Sequence, residues 1–342
     1  ALLLQFDLMV LGRAATVSLL AEGLEPLAAA RLGDQLAGLY AQAQTFGLVP
    51  FQLLLAATHV LFPAVAAAHA RGEDELLRVR VREGGRLALI VGGALVAGLS
   101  GAPAAVLRVA FGSVPHVLGA PHGMATQVLR ILTVAHLVTA MATLGTTLLA
   151  AAGQFRRALL GAAVLTTMAM AGVGLGAWCS AGARQLPENV AVGLLLGLTL
   201  GAAWVVTSVA RHLGQLVAGT VLARVVVALA CATCAGGWIP LPSGRLACVM
   251  MPVIPIAVFV AIVRVLGEER AQAIPIARLA RGPRDHVVEC GDERVDRAAE
   301  DAAVPGGRDR PDAAGEGYER GGGPRQGIAG AAPRQRDGGP VR

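Results

Sequence analysis

Apolar residues fill residues 1–266 in eight stretches, each about the length of a bilayer crossing, separated by short polar breaks. A hydrocarbon core ~30 Å thick takes about 20 apolar helical residues to cross. Inside it, only helices and closed barrels pair all of their own backbone groups. The pattern therefore predicts an all-α polytopic membrane protein, with about eight transmembrane helices in a bundle. The spans are expected over 1–20, 38–65, 86–106, 127–151, 158–180, 189–210, 220–239 and 245–266. The first is the weakest, because it carries Gln5, Asp7 and Arg13.

The breaks fall into two classes. One holds Arg71, Arg78, Arg80, Arg82 and Arg86, then Arg156 and Arg157, then Arg211 and Arg224, then Arg264 and Arg270. The other holds only Arg31, Arg108, Arg130, Arg184 and Arg245, mostly at helix ends. Successive breaks alternate between these classes, and positive charge is retained in the cytoplasm. The expected topology has the Arg-rich side and both termini cytoplasmic. Residues 70–86 mix charges with Leu76, Leu77, Val79 and Val81, which fits an interfacial amphipathic segment or a solvated loop.

Glycines add packing faces. Gly193, Gly197 and Gly201 form a double small-x-x-x-small register in the sixth span, suited to close backbone approach inside the bundle. Gly92, Gly93, Gly98 and Gly101 in the third span, and Gly172, Gly174 and Gly176 in the fifth, suggest further such faces. After Gly267 the composition turns to Gly, Arg, Asp, Glu, Ala and Pro, so residues 267–342 are expected to be a disordered cytoplasmic tail. The chain opens directly on Ala1-Leu2-Leu3-Leu4, without an initiator Met or a signal peptide, and is expected to be a fragment.

Composition agrees with this picture: 55% of residues are hydrophobic and only 15% charged, more apolar sequence than a soluble core needs. All 29 basic residues are Arg, and roughly half of them lie in the low-complexity tail, so the net charge of +6 points to no nucleic-acid partner. Walker A, Gly-rich phosphate-loop and Ser/His/Asp patterns are absent, so no catalytic residue, cofactor site or enzymatic activity is expected. Cys231 and Cys234 form a C-x-x-C within an apolar helix and read, like Cys179 and Cys248, as buried packing residues. His116 and His122 have no carboxylate or Cys beside them, so no metal site is expected.

Ionisable residues at membrane depth are costly and mark pathways. Asp7 and Arg13 either line a groove or neutralise partners beyond this chain. His59 and His136 either relay a proton or sit satisfied in the packing. Arg130, near the start of its span, is expected to snorkel to the interface.

Residues 37–44, Ala-Gly-Leu-Tyr-Ala-Gln-Ala-Gln, are followed by Pro50 and by Val60-Leu61-Phe62-Pro63-Ala64. Further on come Leu107-Arg108-Val109-Ala110-Phe111-Gly112, Val128-Leu129-Arg130-Ile131-Leu132 and Ala151-Ala152-Gly153-Gln154-Phe155-Arg156-Arg157. In this order the pieces resemble the polysaccharide-transporter (Wzx-like oligosaccharide flippase) branch of the multidrug/oligosaccharidyl-lipid/polysaccharide exporter superfamily. There a Gly-x-Tyr-x-x-Ala element opens a long helix that ends in a Phe-Pro turn. The resemblance covers residues 1–266 and implies the second bundle and two C-terminal helices of a 14-span exporter, without the first bundle.

It further implies a function in the bacterial inner membrane: flipping polyprenyl-diphosphate-linked oligosaccharide for O-antigen, capsule or exopolysaccharide export. The implied partners are the lipid-linked oligosaccharide, membrane lipids, and glycan polymerase or export proteins. The drive would be an ion gradient or product trapping. In that setting Tyr40, Gln42 and Gln44 suit sugar hydrogen bonds, and helix–helix hydrogen bonding competes equally as their role. Rival readings are a drug/cation antiporter of the same superfamily, a membrane glycan polymerase or ligase, and a non-transporting membrane fragment. The short loops on the Arg-poor side count against the polymerase.

Overall fold

The computed structural model describes residues 3–112, 123–238 and 245–266. The expected tail, His116, His122 and Cys290 lie outside the described residues. Helix α1 (Leu3–Ala21) turns at Gly23 into α2 (Pro26–Gly47), with Pro26 at the first helical position, where its missing N–H leaves no partner wanting. Then follow α3 (Val49–Ala70), α4 (Asp74–Gly101), α5 (Pro103–Phe111), α6 (Met124–Ala151), α7 (Phe155–Trp178) and α8 (Leu186–His212). The last are α9 (Gly219–Gly237), α10 (Arg245–Met250) and α11 (Val253–Val265). The described residues hold no strand, so the chain is all-α.

Among the described residues, seven helical stretches are long and apolar enough to cross a membrane: 26–70, 74–101, 124–151, 155–178, 186–212, 219–236 and 247–265. They cover the second to eighth expected spans in order; α1, 19 residues long, lies where the first was expected and is not among the seven. Four boundaries, the two ends of the second span and the two ends of the third, differ from the expectation. The second span starts at Pro26 instead of Gly38 and reaches Ala70 through Pro63, which sits inside α3 and does not end it. At Leu48, between α2 and α3, the backbone stays right-handed α (φ −74°, ψ −17°), so the two helices follow each other as a 45-residue stretch. At 1.5 Å per residue that is about 67 Å, roughly twice the hydrocarbon thickness.

The third span departs too. Residues 74–86 form neither a separate surface segment nor a loop but the first turns of α4, with Leu77, Val81, Gly84 and Ala88 buried along one face. At the other end Pro103 opens α5 as a separate short helix.

Helix α6 is the central post, with 72% of its apolar window buried. It packs against α2, α3, α4, α7 and α8. Gly153 in the α6–α7 turn lies beside His69, and Gly214 in the α8–α9 connection lies beside Arg78, so the Arg-rich breaks gather at one end of the bundle. At the opposite end, a Glu22 Oε1 accepts the Ala183 N–H at 3.1 Å, joining the α1–α2 turn to the α7–α8 turn.

The α7–α8 pair is the tightest. A Cβ on Gly193 would stand 2.1 Å from the Gly172 carbonyl oxygen, and one on Gly197 at the same distance from that of Met168. Gly201 lies on Leu165, and Gly176 on Asn189. The expected glycine register therefore serves packing within the chain. Gly101 and Gly236 do the same for α4 and α9.

Candidate functional site

Three of the polar residues singled out in the sequence meet between α1 and α2. The helices run antiparallel, with Gly12 beside Ala37 and Gly33 beside Thr16. That register puts Asp7 opposite Tyr40 and Gln44, which lie four residues apart on one face of α2. The Asp7 Oδ2 accepts the Tyr40 hydroxyl at 3.0 Å and the Gln44 Nε2 at 2.9 Å, while Oδ1 accepts the Leu8 N–H at 3.0 Å. Asp7 is 2% exposed and Tyr40 fully buried. Leu11, Leu36, Leu39 and Leu132 belong to the same core cluster. No cationic side chain comes within ion-pair distance of Asp7 among the described residues. A carboxylate in an apolar setting with neutral donors alone is an expensive arrangement, held by hydrogen bonds.

The other expected residues separate from this cluster. Gln42, two residues from Tyr40, is turned away; its side-chain carbonyl is buried without a partner among the described residues. Arg13 is exposed and lines an open groove between α1 and α7 with Met9, Val10, Gly174 and Trp178. His59 is exposed on the outside of α3, so its expected place deep in a packed span does not hold. His136 is buried, with Nδ1 2.6 Å from the Leu132 carbonyl, so that nitrogen carries the proton and the ring is satisfied within its own helix. Gly47 packs over it.

Arg130 does not snorkel freely. Its Nε donates to the Ser100 carbonyl at 3.0 Å, at the end of α4, and it lines a separate cleft with Leu195 and Trp238. Ser100 escaped the sequence reading because its backbone, not its side chain, makes the contact. Of the four described cysteines, Cys248 is buried as expected; Cys179, Cys231 and Cys234 are exposed, because they sit where α7 ends and on the outward face of α9. Among the described residues no cluster of His, Cys, Asp or Glu could hold a metal ion.

No family model matches the chain, and neither a curated protein nor a solved structure does.

Proposed function

We propose that the chain serves in moving a polyprenyl-diphosphate-linked oligosaccharide between the leaflets of a bacterial inner membrane, with its Arg-rich end in the cytoplasm. The observation that carries this reading is the Asp7–Tyr40–Gln44 cluster: a buried carboxylate of α1 within an apolar bundle, held by two residues of the flippase-like segment 37–44 on α2. Sugars cross hydrocarbon only along a polar path, and alternating access needs an element whose packing responds to a driving ion.

Asp7 can act as that element. Ionised, it draws the Tyr40 and Gln44 donors onto α1 but leaves an unpaired charge in the core. Neutralised by a proton, it accepts more weakly, and the grip between α1 and α2 loosens. Because Asp7 is closed off in this arrangement, α1 must move away from α2 for the carboxyl to exchange its proton.

The test is transport by the full chain in vesicles. Fluorescently tagged lipid-linked oligosaccharide should move between leaflets, faster with a proton gradient, and Asp7→Asn should remove the response to the gradient. Movement that ignores both the gradient and Asp7→Asn would overturn the assigned coupling. A drug/cation antiporter draws on the same buried carboxylate. It would win if organic cations, and not the lipid-linked sugar, exchanged for protons. Movement of neither would favour a non-transporting membrane component.

A further inference from the structure

A second site lies at the Arg-poor end, on the far side of α6 from the α1–α2 pair. Helices α8 and α9 are consecutive and joined by the 213–218 connection, where Leu213 and Leu216 are buried. Beyond it each follows a different partner: α8 packs on α6 and α7, α9 on α4 and α11. The two therefore diverge, leaving a cleft of about 760 Å³ with α6 exposed along its floor. Leu195 stands on the α8 side, Thr233, Cys234 and Trp238 on the α9 side, and Arg130 and Ser100 at the base.

The cleft is mostly apolar, with Arg130 as the charged residue of its lining and Thr233, Cys234 and Ser100 as further polar ones. Arg130 has its Nε fixed on the Ser100 carbonyl at 3.0 Å, while its Nη1 and Nη2 have no partner among the described residues. Among the described residues no acidic side chain pairs with it. Trp238 stands at the rim, 89% exposed, its indole N–H also without a partner among the described residues. Arg130 lies six residues into α6, about 9 Å along its axis and level with the last turn of α4, a place near the helix ends that suits a head group. A Trp at the same end is the usual interfacial anchor.

We infer that this cleft binds an anionic phospholipid of the leaflet at the Arg-poor end, with its phosphate on Arg130 and an acyl chain lying between α8 and α9. The fixed guanidinium offers a planar pair of donors to phosphate oxygens. Its charge, which an apolar cleft in contact with lipid would otherwise leave uncompensated, is neutralised by the ligand. The acyl chain covers apolar walls that the helices do not cover for each other. The assignment does not rest on the flippase reading, since occupancy is measured without transport.

The experiment is native mass spectrometry of the full chain in detergent, titrated with phosphatidylglycerol or with phosphatidylcholine of the same acyl chains. The wild type should bind one phosphatidylglycerol on the order of tenfold tighter than Arg130→Ala does, the size of one lost charge-assisted contact. Arg130→Lys should fall between them. Phosphatidylcholine should bind both proteins alike. Leu195→Trp, which fills the cleft and leaves the guanidinium in place, should also weaken phosphatidylglycerol binding, and it decides the matter if Arg130→Ala does not fold. Equal phosphatidylglycerol binding by the wild type and Leu195→Trp would overturn the proposal. So would displacement of phosphatidylglycerol by lower concentrations of a polyprenyl-diphosphate sugar, which would make the carrier lipid the occupant.

Discussion

Tyr40 and Gln44 donate to the same oxygen of Asp7, so each hydrogen bond is part of what makes a buried carboxylate tolerable. Losing a donor to a charged or strongly polar acceptor costs about 1.5–3 kcal/mol. Tyr40→Phe, which keeps the ring packing, should therefore lower thermal stability in detergent by an amount in that range. Asp7→Asn removes the unpaired charge and keeps the volume, so it should leave the melting temperature unchanged or raise it. Adding Tyr40→Phe to Asp7→Asn should then cost less than Tyr40→Phe alone, because the two residues share one interaction. Additive effects would mean that the Tyr40 hydroxyl does not support the carboxylate.

The pair at the α3–α4 turn behaves in the opposite way. Arg71 Nε donates to Glu73 at 2.9 Å, and that hydrogen bond holds the Glu73 carboxyl below its ordinary range. The sign follows: whatever this pair contributes is present above the unfolded carboxylate range and is lost as pH falls through the lowered value. Both side chains stand in solvent, where such pairs are screened and weak. Glu73→Gln should leave thermal stability unchanged between pH 5 and 8, and a measurable drop would show that the turn depends on the pair.

Among the elements, α7 and α8 offer the cleanest contrast. Gly193 meets backbone where a Cβ would go, whereas Gly174, on the same pair of helices, has nothing within 4 Å of that position. Overpacking a close seam costs ~1–3 kcal/mol, while Ala in place of an open helical Gly gains up to ~1 kcal/mol. Gly193→Ala should thus destabilise the protein and Gly174→Ala should not; similar melting temperatures would deny the backbone contact.

The Gly193/Gly197/Gly201 spacing was legible because small residues every four positions mark one helix face whatever the partner. The ends of α2 and α4 were not. Arg31, Asp34 and Gln35 in one, and the charges of 74–86 in the other, dilute the apolar signal of segments that are nevertheless helical. Pro26 and Pro103 were the available marks of those boundaries. Likewise Asp7, Tyr40 and Gln44 could each be picked out as polar residues at depth. Their meeting depends on the α1–α2 register, which contacts such as Gly12 on Ala37 and Gly33 on Thr16 set, and those contacts have no signature along the chain.

For the molecule as a whole, the alternation of Arg-rich and Arg-poor breaks was the most readable feature, because a charge bias depends on counting and not on packing. The structure gives it spatial form: His69 meets Gly153 and Arg78 meets Gly214 at one end, while Glu22 meets Ala183 at the other. Retention of positive charge predicts that the Arg-rich end faces the cytoplasm, a prediction open to direct measurement. Two single cysteines in a cysteine-free background suffice: Glu73→Cys at the Arg-rich end and Glu25→Cys at the other, both exposed positions. In intact cells a membrane-impermeant maleimide should label Glu25→Cys, and Glu73→Cys only after permeabilisation. Replacing Arg71, Arg78, Arg80, Arg82 and Arg86 with Gln should weaken the bias and make Glu73→Cys partly reactive in intact cells. Should Glu73→Cys react first with all five arginines in place, the topology is inverted. The Arg130 cleft would then lie in the cytoplasmic leaflet, where anionic lipid is abundant, so the lipid assignment would survive while the direction of transport would reverse.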